Sequence, residues 1–243
     1  MSNARAIECV GVIPARYHST RFPGKVLELI DGLPMVAHVY KQATASQLDK
    51  VIVSTDHPAV QKAMEDLNIH VMMTAENHRS GTDRVAEVAE SVSGDIFINI
   101  QGDEPYIEPE IINLLMEQFQ TEPTTPMATV ASTNLSDEDW NDPNIVKVQV
   151  GEDRNAVGFF RVPASQMPGD YCYKHLGIYG SKRDFLIEFA GMARSANEKS
   201  LDLEQMRALD NGIPISVVIT DLDSVGINRP EDLEKLKETE IIA

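Results

Sequence analysis

Between Ala6 and Ile100 short apolar runs alternate with amphipathic stretches of helical period, and that alternation restricts the chain to a largely parallel sheet covered by helices. Ala6 to Ile13, Val51 to Val53, His70 to Met73 and Ile96 to Ile100 read as strands. Pro34 to Ala45, Pro58 to Leu67 and Thr82 to Val92 read as the helices between them. The second half changes rhythm, with strand candidates Met127 to Ala131, Ile145 to Val150 and Ala156 to Phe160 separated by turn-rich loops, which predicts antiparallel additions. Helices over Lys182 to Met192 and Leu203 to Leu209, a strand over Ile215 to Ile219 and a C-terminal helix with Pro230 in its first turn complete the pattern. No repeat, low-complexity tract or linker divides the chain. The reading is one α/β domain over residues 1–243, a mostly parallel sheet with an antiparallel insertion.

In such a sheet ligands bind outside the carboxyl ends of the strands, so the loops at those ends carry the chemistry. The first holds Arg16, Arg21 and Lys25, three cations within residues 16–25, directly after the first strand. It is neither a Walker A loop nor a G-x-G-x-x-G turn. A phosphate cradle built from side-chain cations and the backbone around Gly24 fits this composition, and so does a solvated basic loop. The second loop, Ser80-Gly81-Thr82-Asp83-Arg84, contains residues that cap helices as readily as they bind ligands. The third, Gln101-Gly102-Asp103-Glu104-Pro105, sets an acidic pair after a buried strand, where Gly-Asp forms a turn and a carboxylate suits Mg²⁺.

Charge sharpens the choice. With 38 acidic against 21 basic residues the net charge is −17, which argues against nucleic acid and anionic membrane surfaces and makes clustered cations informative. No apolar run is long enough to span a membrane, and Met1 to Arg5 carries no apolar signal segment, so the expected compartment is the cytoplasm. Cys9 and Cys172, without C-x-x-C spacing, are expected as reduced structural thiols.

Taken in order, Ile13-Pro14-Ala15-Arg16-Tyr17 with Pro23-Gly24-Lys25, Ser80 to Arg84, Gln101 to Pro105, His175-Leu176-Gly177-Ile178-Tyr179 and Leu203-Glu204-Gln205-Met206-Arg207 resemble the 3-deoxy-manno-octulosonate cytidylyltransferase family, from Val12 to about Lys237. The resemblance implies a Rossmann-like nucleotidyltransferase domain that uses CTP, a 3-deoxy-ulosonic acid (Kdo) and Mg²⁺, feeds lipopolysaccharide synthesis, and assembles as a homodimer. It implies a catalytic set of Arg16, Lys25 and Asp103. It implies nucleotide contacts from Pro14, Ala15, Arg16, Lys25, Ser80, Arg84 and Gln101, and sugar-acid contacts from Arg161, His175, Tyr179, Glu204 and Gln205. By their own context His175 also fits a structural strand histidine, Glu204 a solvated helix charge, and Arg161 a side chain packed along its stem.

Metal ligation by Asp103 and Asn228 follows from the same resemblance, although the family's usual Asp-Thr-Pro is here Asn228-Arg229-Pro230. Gly158-Phe159-Phe160-Arg161 stands where the family commonly has Tyr-Phe-Ser-Arg, and Val162 to Tyr173 is slightly short. Phe160 is therefore expected to shape which acid fits. The alternatives are activation of a related acid, such as 8-amino-Kdo or a sialic-like acid, or a non-catalytic nucleotide-binding relative.

Overall fold

Between its parallel neighbours the central sheet holds one strand that runs against both, and that reversed strand builds the site. In this computed structural model the described residues are 7–18, 22–161, 171–227, 229 and 231–233. Arg21, Asn228, most of the segment after Arg161 and most of the expected C-terminal helix, including Pro230, lie outside them.

Strand β1 (Cys9–Pro14) leads through a short 3₁₀ turn (Lys25–Leu27) into a small hairpin, β2 (Leu29–Ile30) and β3 (Leu33–Pro34), closed by Asp31 and Gly32, both at positive φ. Then come α1 (Met35–Ala45), β4 (Lys50–Thr55), α2 (Pro58–Asp66), β5 (Val71–Met73), α3 (Gly81–Ser91), β6 (Ile96–Asn99) and α4 (Pro109–Thr121). The second half carries β7 (Met127–Ser132), α5 (Asp137–Asn141), β8 (Lys147–Val150), β9 (Ala156–Phe160), β10 (Cys172–Lys182), α6 (Arg183–Gly191), α7 (Ala196–Leu201), α8 (Met206–Asp210) and β11 (Ile215–Thr220).

The strand order is β11-β7-β10-β6-β1-β4-β5, with β8 paired to β10 and β9 paired to β8. The pairs β1/β4, β1/β6, β4/β5 and β7/β11 are parallel. The eleven-residue β10 lies between β6 and β7, antiparallel to both, and its first residues extend past them to pair with β8. The sequence-predicted plan of a mostly parallel sheet with antiparallel additions is the one found.

Alternation along β1 explains the layering, because successive side chains face opposite sides of a strand. Ile13 packs with Val36, Val53, Ile98 and Ile111 under α1 and α4, whereas Val10 and Val12 pack with Val85, Val88, Phe97 and Leu186 under α3 and α6. Burying each such side chain contributes about 1.5–3 kcal/mol. A third cluster, including Val148, Phe159, Phe189, Ala208 and Val217, fixes the antiparallel strands on α6 and α8.

Local chemistry starts α2 and α3. His57 Nδ1 accepts the Ala59 N–H at 3.2 Å with Pro58 in the first turn of α2, and Ser80 Oγ accepts the Asp83 N–H at 3.1 Å at the start of α3. The predicted helix Leu203 to Leu209 is shorter in the structure. Asp202, at φ 52°, ends α7, and 203–205 form a turn before α8 begins at Met206. That turn directs Glu204 and Gln205 into the cavity described next. Among the described residues no helix is long and apolar enough to cross a membrane.

Candidate active site

The carboxyl ends of β1 and β6 meet through a close backbone approach. A Cβ on Gly102 would stand 2.6 Å from the Pro14 carbonyl oxygen, so glycine is required for the turn after β6 to lie against the end of β1. Asp103, on that turn, reaches Lys25 from the first loop: Lys25 Nζ lies 2.5 Å from Asp103 Oδ2 and donates to the Ile227 carbonyl at 3.2 Å. The Ile227 N–H returns to the Asp103 carbonyl at 2.8 Å. Three segments distant in sequence are thereby tied at one point, with Lys25 and Asp103 both only partly exposed.

Beside it opens a cavity of about 1210 Å³. Asp103, Gln101, Arg161, His175, Tyr179, Glu204 and Gln205 all line it. β10 supplies its middle. Gly177, at φ 71° where the register of β10 against β7 shifts, turns its carbonyl to accept from Gln101 Nε2 at 2.9 Å. His175 Nε2 lies 3.0 Å from Thr129 Oγ1, with the rings of Phe159 and Tyr179 at 5.1 and 5.2 Å. Burial pushes the imidazole down to about 3, so it is neutral at neutral pH. Burial first, and the Glu204 charge second, hold the Tyr179 phenol well above its usual range.

Glu204 is the most heavily engaged wall residue. Its Oε1 accepts from Ser80 Oγ at 2.9 Å and Arg207 Nη2 at 3.1 Å, and its Oε2 accepts from Thr82 Oγ1 at 2.5 Å. The Arg161 guanidinium is steadied by the Pro143 and Asp202 carbonyls, each at 3.4 Å, which leaves further N–H donors for a ligand. The buried Lys147 ammonium donates to the Asp142 and Arg161 carbonyls at 2.7 and 3.0 Å and so fixes the backbone from which Arg161 projects.

Other expected residues stand elsewhere. Arg16 is exposed on the first loop, its Nη2 3.3 Å from the His18 carbonyl, and it does not line the cavity. The structure does not bring Arg84 to the cavity either. Its guanidinium is fully buried, 2.7 Å from Asp56 Oδ2 and bonded to Thr74, because α3 sits over the ends of β4 and β5. Ala15 is buried and hydrogen-bonded to Ser54 and Thr55. Phe160 corrects the expectation placed on it: its ring meets Trp140 edge-on at 5.9 Å and lines no part of the cavity, since neighbours on a strand point oppositely and Arg161 takes the inward direction.

Sequence reasoning did not single out Glu104, Lys174 or Ser224, all on the cavity wall. Ser224 Oγ donates to Glu104 Oε2 at 2.6 Å, and Lys174 Nζ lies 2.8 Å from Asp223 Oδ2. Burial, reinforced by the charges of Asp103 and Asp223, pushes the Glu104 carboxyl up to about 8 against the opposing Ser224 bond and Lys174 charge. Glu104 lay inside a motif already noticed. Lys174 and Ser224 carried no local signal.

The reversed strand within a parallel sheet, and a polar cavity beside a lysine–carboxylate pair at the strand ends, define an α/β nucleotidyltransferase. A sequence profile described as Cytidylyltransferase matches residues 10–218. The 3-deoxy-manno-octulosonate cytidylyltransferase of Pelobacter propionicus is 44% identical, over 93% of this chain and 95% of that protein, and the one of Fusobacterium nucleatum is 42% identical over 93% and 94%. A solved structure of CMP:2-keto-3-deoxy-manno-octonic acid synthetase complexed with CTP superposes with TM-score 0.90 at 37% identity, covering 96% of this chain and 98% of that one. The inositol-1-phosphate CTP transferase of T. maritima shares the fold, with TM-score 0.67 at 16% identity. The chain belongs to the 3-deoxy-manno-octulosonate cytidylyltransferase family.

Proposed function

We propose that this enzyme transfers CMP from CTP to the anomeric hydroxyl of 3-deoxy-manno-octulosonate. The hydroxyl oxygen forms a bond to the α-phosphorus, the bond from that phosphorus to the bridging oxygen of the β-phosphate breaks, pyrophosphate leaves, and the hydroxyl proton passes to solvent. No protein nucleophile is required, so positioning and charge neutralisation carry the rate.

The observation that supports this most is the pairing of two environments. The Lys25–Asp103 pair marks the triphosphate end, and Arg161, His175, Tyr179, Glu204 and Gln205 line one continuous wall suited to a polyhydroxylated carboxylic acid. In this reading Lys25 and the exposed charge of Arg16 hold phosphate oxygens, Gln101 and Ser80 border the nucleotide, and Arg161 faces the acid's carboxylate. Arg84 supports the nucleotide side from beneath, through the buried end of α3.

Asp103 suits Mg²⁺. Among the described residues no three His, Cys, Asp or Glu side chains gather into a cage, and a phosphate-bound Mg²⁺ commonly takes one or two carboxylates, with waters and phosphate oxygens completing its shell. When bound there, Mg²⁺ supplies charge neutralisation on the triphosphate; Asn228 is the second ligand this reading assigns. The reading includes a cytoplasmic location, where nucleoside triphosphates are made, and a homodimer. Among the described residues β9 pairs as a strand with β8 alone and carries the exposed Val157, which favours assembly.

The test is pyrophosphate release from CTP with Kdo, 8-amino-Kdo and a sialic-type acid in parallel, with and without Mg²⁺. Kdo should be the preferred acid. Preference for another acid moves the substrate assignment, and release with none overturns the reading.

A further inference from the structure

Thr82 occupies the second position of α3, where its side chain adds nothing to the helix cap, because Ser80 already supplies that bond. Its hydroxyl instead crosses to the turn before α8. Thr82 Oγ1 donates to Glu204 Oε2 at 2.5 Å and lies 3.5 Å from Asn99 Nδ2, the better donor on that side. A carboxylate offers about four acceptor positions. On Glu204, Ser80 and Arg207 take two on Oε1 and Thr82 takes one on Oε2, so one position on Oε2 stays open on a side chain that lines the cavity and is 27% exposed.

We propose that Thr82 is a positioning residue for the sugar acid: by holding Glu204 Oε2, it aims that oxygen's remaining lone pair at a hydroxyl of the substrate. The inference rests on the cavity being the sugar-acid site. It follows from the division of labour on the carboxylate. Ser80 and Arg207 hold Oε1 from one side and Thr82 holds Oε2 from the other, so rotation about the last side-chain torsion, which is broad for glutamate and swings both oxygens, is resisted at both ends and loosened when the Thr82 bond is lost. Without that restraint Glu204 turns, and the acceptor no longer points into the cavity. The hydroxyl of Thr82 meets Glu204 and Asn99 and not Lys25 or Asp103, and Ser80 keeps its cap bond to the Asp83 N–H without it, so its effect falls mainly on the acid.

The experiment is steady-state kinetics of wild type, Thr82→Val and Thr82→Ser, measured by pyrophosphate release with each substrate varied in turn, alongside thermal unfolding of all three. Thr82→Val keeps the shape and removes the hydroxyl. Loss of a hydrogen bond to a charged group should raise KM for Kdo about tenfold or more, with KM for CTP unchanged, and Thr82→Ser should restore it. In a Glu204→Ala background, which leaves the Thr82 hydroxyl no acceptor at position 204, Thr82→Val should add no further rise, because its action passes through the carboxylate. Turnover by wild type with an unmoved Kdo KM in Thr82→Val overturns the role of Thr82 alone, as does an equal rise in both KM values or a full additional effect in the Glu204→Ala background. Wild-type enzyme that turns over no acid overturns the functional reading itself, and this role with it.

Discussion

Lys25 and Asp103, 78 positions apart in sequence, form a 2.5 Å ion pair at the joint between the first loop and the turn after β6. On the proposed reading the pair sets the cation for phosphate and the carboxylate for Mg²⁺ side by side, so the two side chains take separate roles when substrate binds. Lys25→Ala should therefore raise KM for CTP by about one to two decades, the equivalent of losing about 1.5–3 kcal/mol from one charge-assisted contact. Asp103→Ala should abolish most turnover while circular dichroism and the unfolding midpoint stay near wild type, since the side chain is partly exposed and supports no core residue. An unfolded Asp103→Ala, or unchanged CTP kinetics in Lys25→Ala, would remove the pair from the site.

Gly102 sets the distance between these loops. A methyl group there meets the Pro14 carbonyl oxygen at 2.6 Å, and that carbonyl is backbone, held by the strand, so the turn carrying Asp103 must move. Gly102→Ala should cost about 1–3 kcal/mol, visible as a fall of roughly 2–12 °C in Tm for a chain of this size, and lower kcat/KM by at least about tenfold. Gly158→Ala is the control, because an added Cβ there meets nothing within 4 Å. Both glycines responding alike would show that general backbone entropy, and not the approach to Pro14, governs the effect.

How far the sequence revealed this arrangement depended on whether the signal was local. β1 and β6 are visible as continuous apolar runs, because both of their faces are buried, and α1 and α3 as helical period, because each buries one stripe. The helix α4 carries a local signal too, since Pro109 starts it and Ile111, Ile112, Leu115, Met116 and Phe119 are buried at helical spacing, although the sequence reading above has no helix there. The loops at the strand ends were legible as polar motifs, yet which side chains meet was not. Arg84 and Lys25 look equivalent as cations near phosphate-compatible loops. Only the packing of α3 over β4 and β5 sends one to Asp56 in the interior and leaves the other at Asp103. Lys174 reaches Asp223 across 49 positions, a contact no local pattern encodes.

Acid sensitivity should follow from His175. Its imidazole ordinarily titrates at 6.5 and burial lowers it to about 3. Between those values the unfolded chain binds a proton that the folded protein does not, so stability is complete above about 6.5 and is lost as pH falls toward about 3. His175→Gln should flatten that part of the profile in denaturant titrations at a series of pH values. Glu104 acts in the opposite direction: its carboxyl, raised from 4.5 to about 8, removes stability as pH rises through that window, and Glu104→Gln should abolish that loss. Parallel profiles for wild type and His175→Gln below pH 6.5 would show that the ring gains access to water in the folded state.

Neighbouring positions 160 and 161 should separate stability from specificity. Phe160 is directed at Trp140, ring centroids 5.9 Å apart at 79°, whereas Arg161 lines the cavity with its guanidinium braced by the Pro143 and Asp202 carbonyls. Phe160→Ser removes an aromatic contact and part of a packed surface, so it should lower stability by about 1–3 kcal/mol and leave the ranking of sugar acids as it was. Arg161→Ala should keep stability near wild type and raise KM for the acid by about one to two decades, with KM for CTP unchanged. Kinetic constants for CTP and for each acid, measured in both variants beside their unfolding midpoints, decide the matter. A changed acid preference in Phe160→Ser would return the ring to the substrate pocket, and a loss confined to CTP in Arg161→Ala would move that guanidinium to the triphosphate.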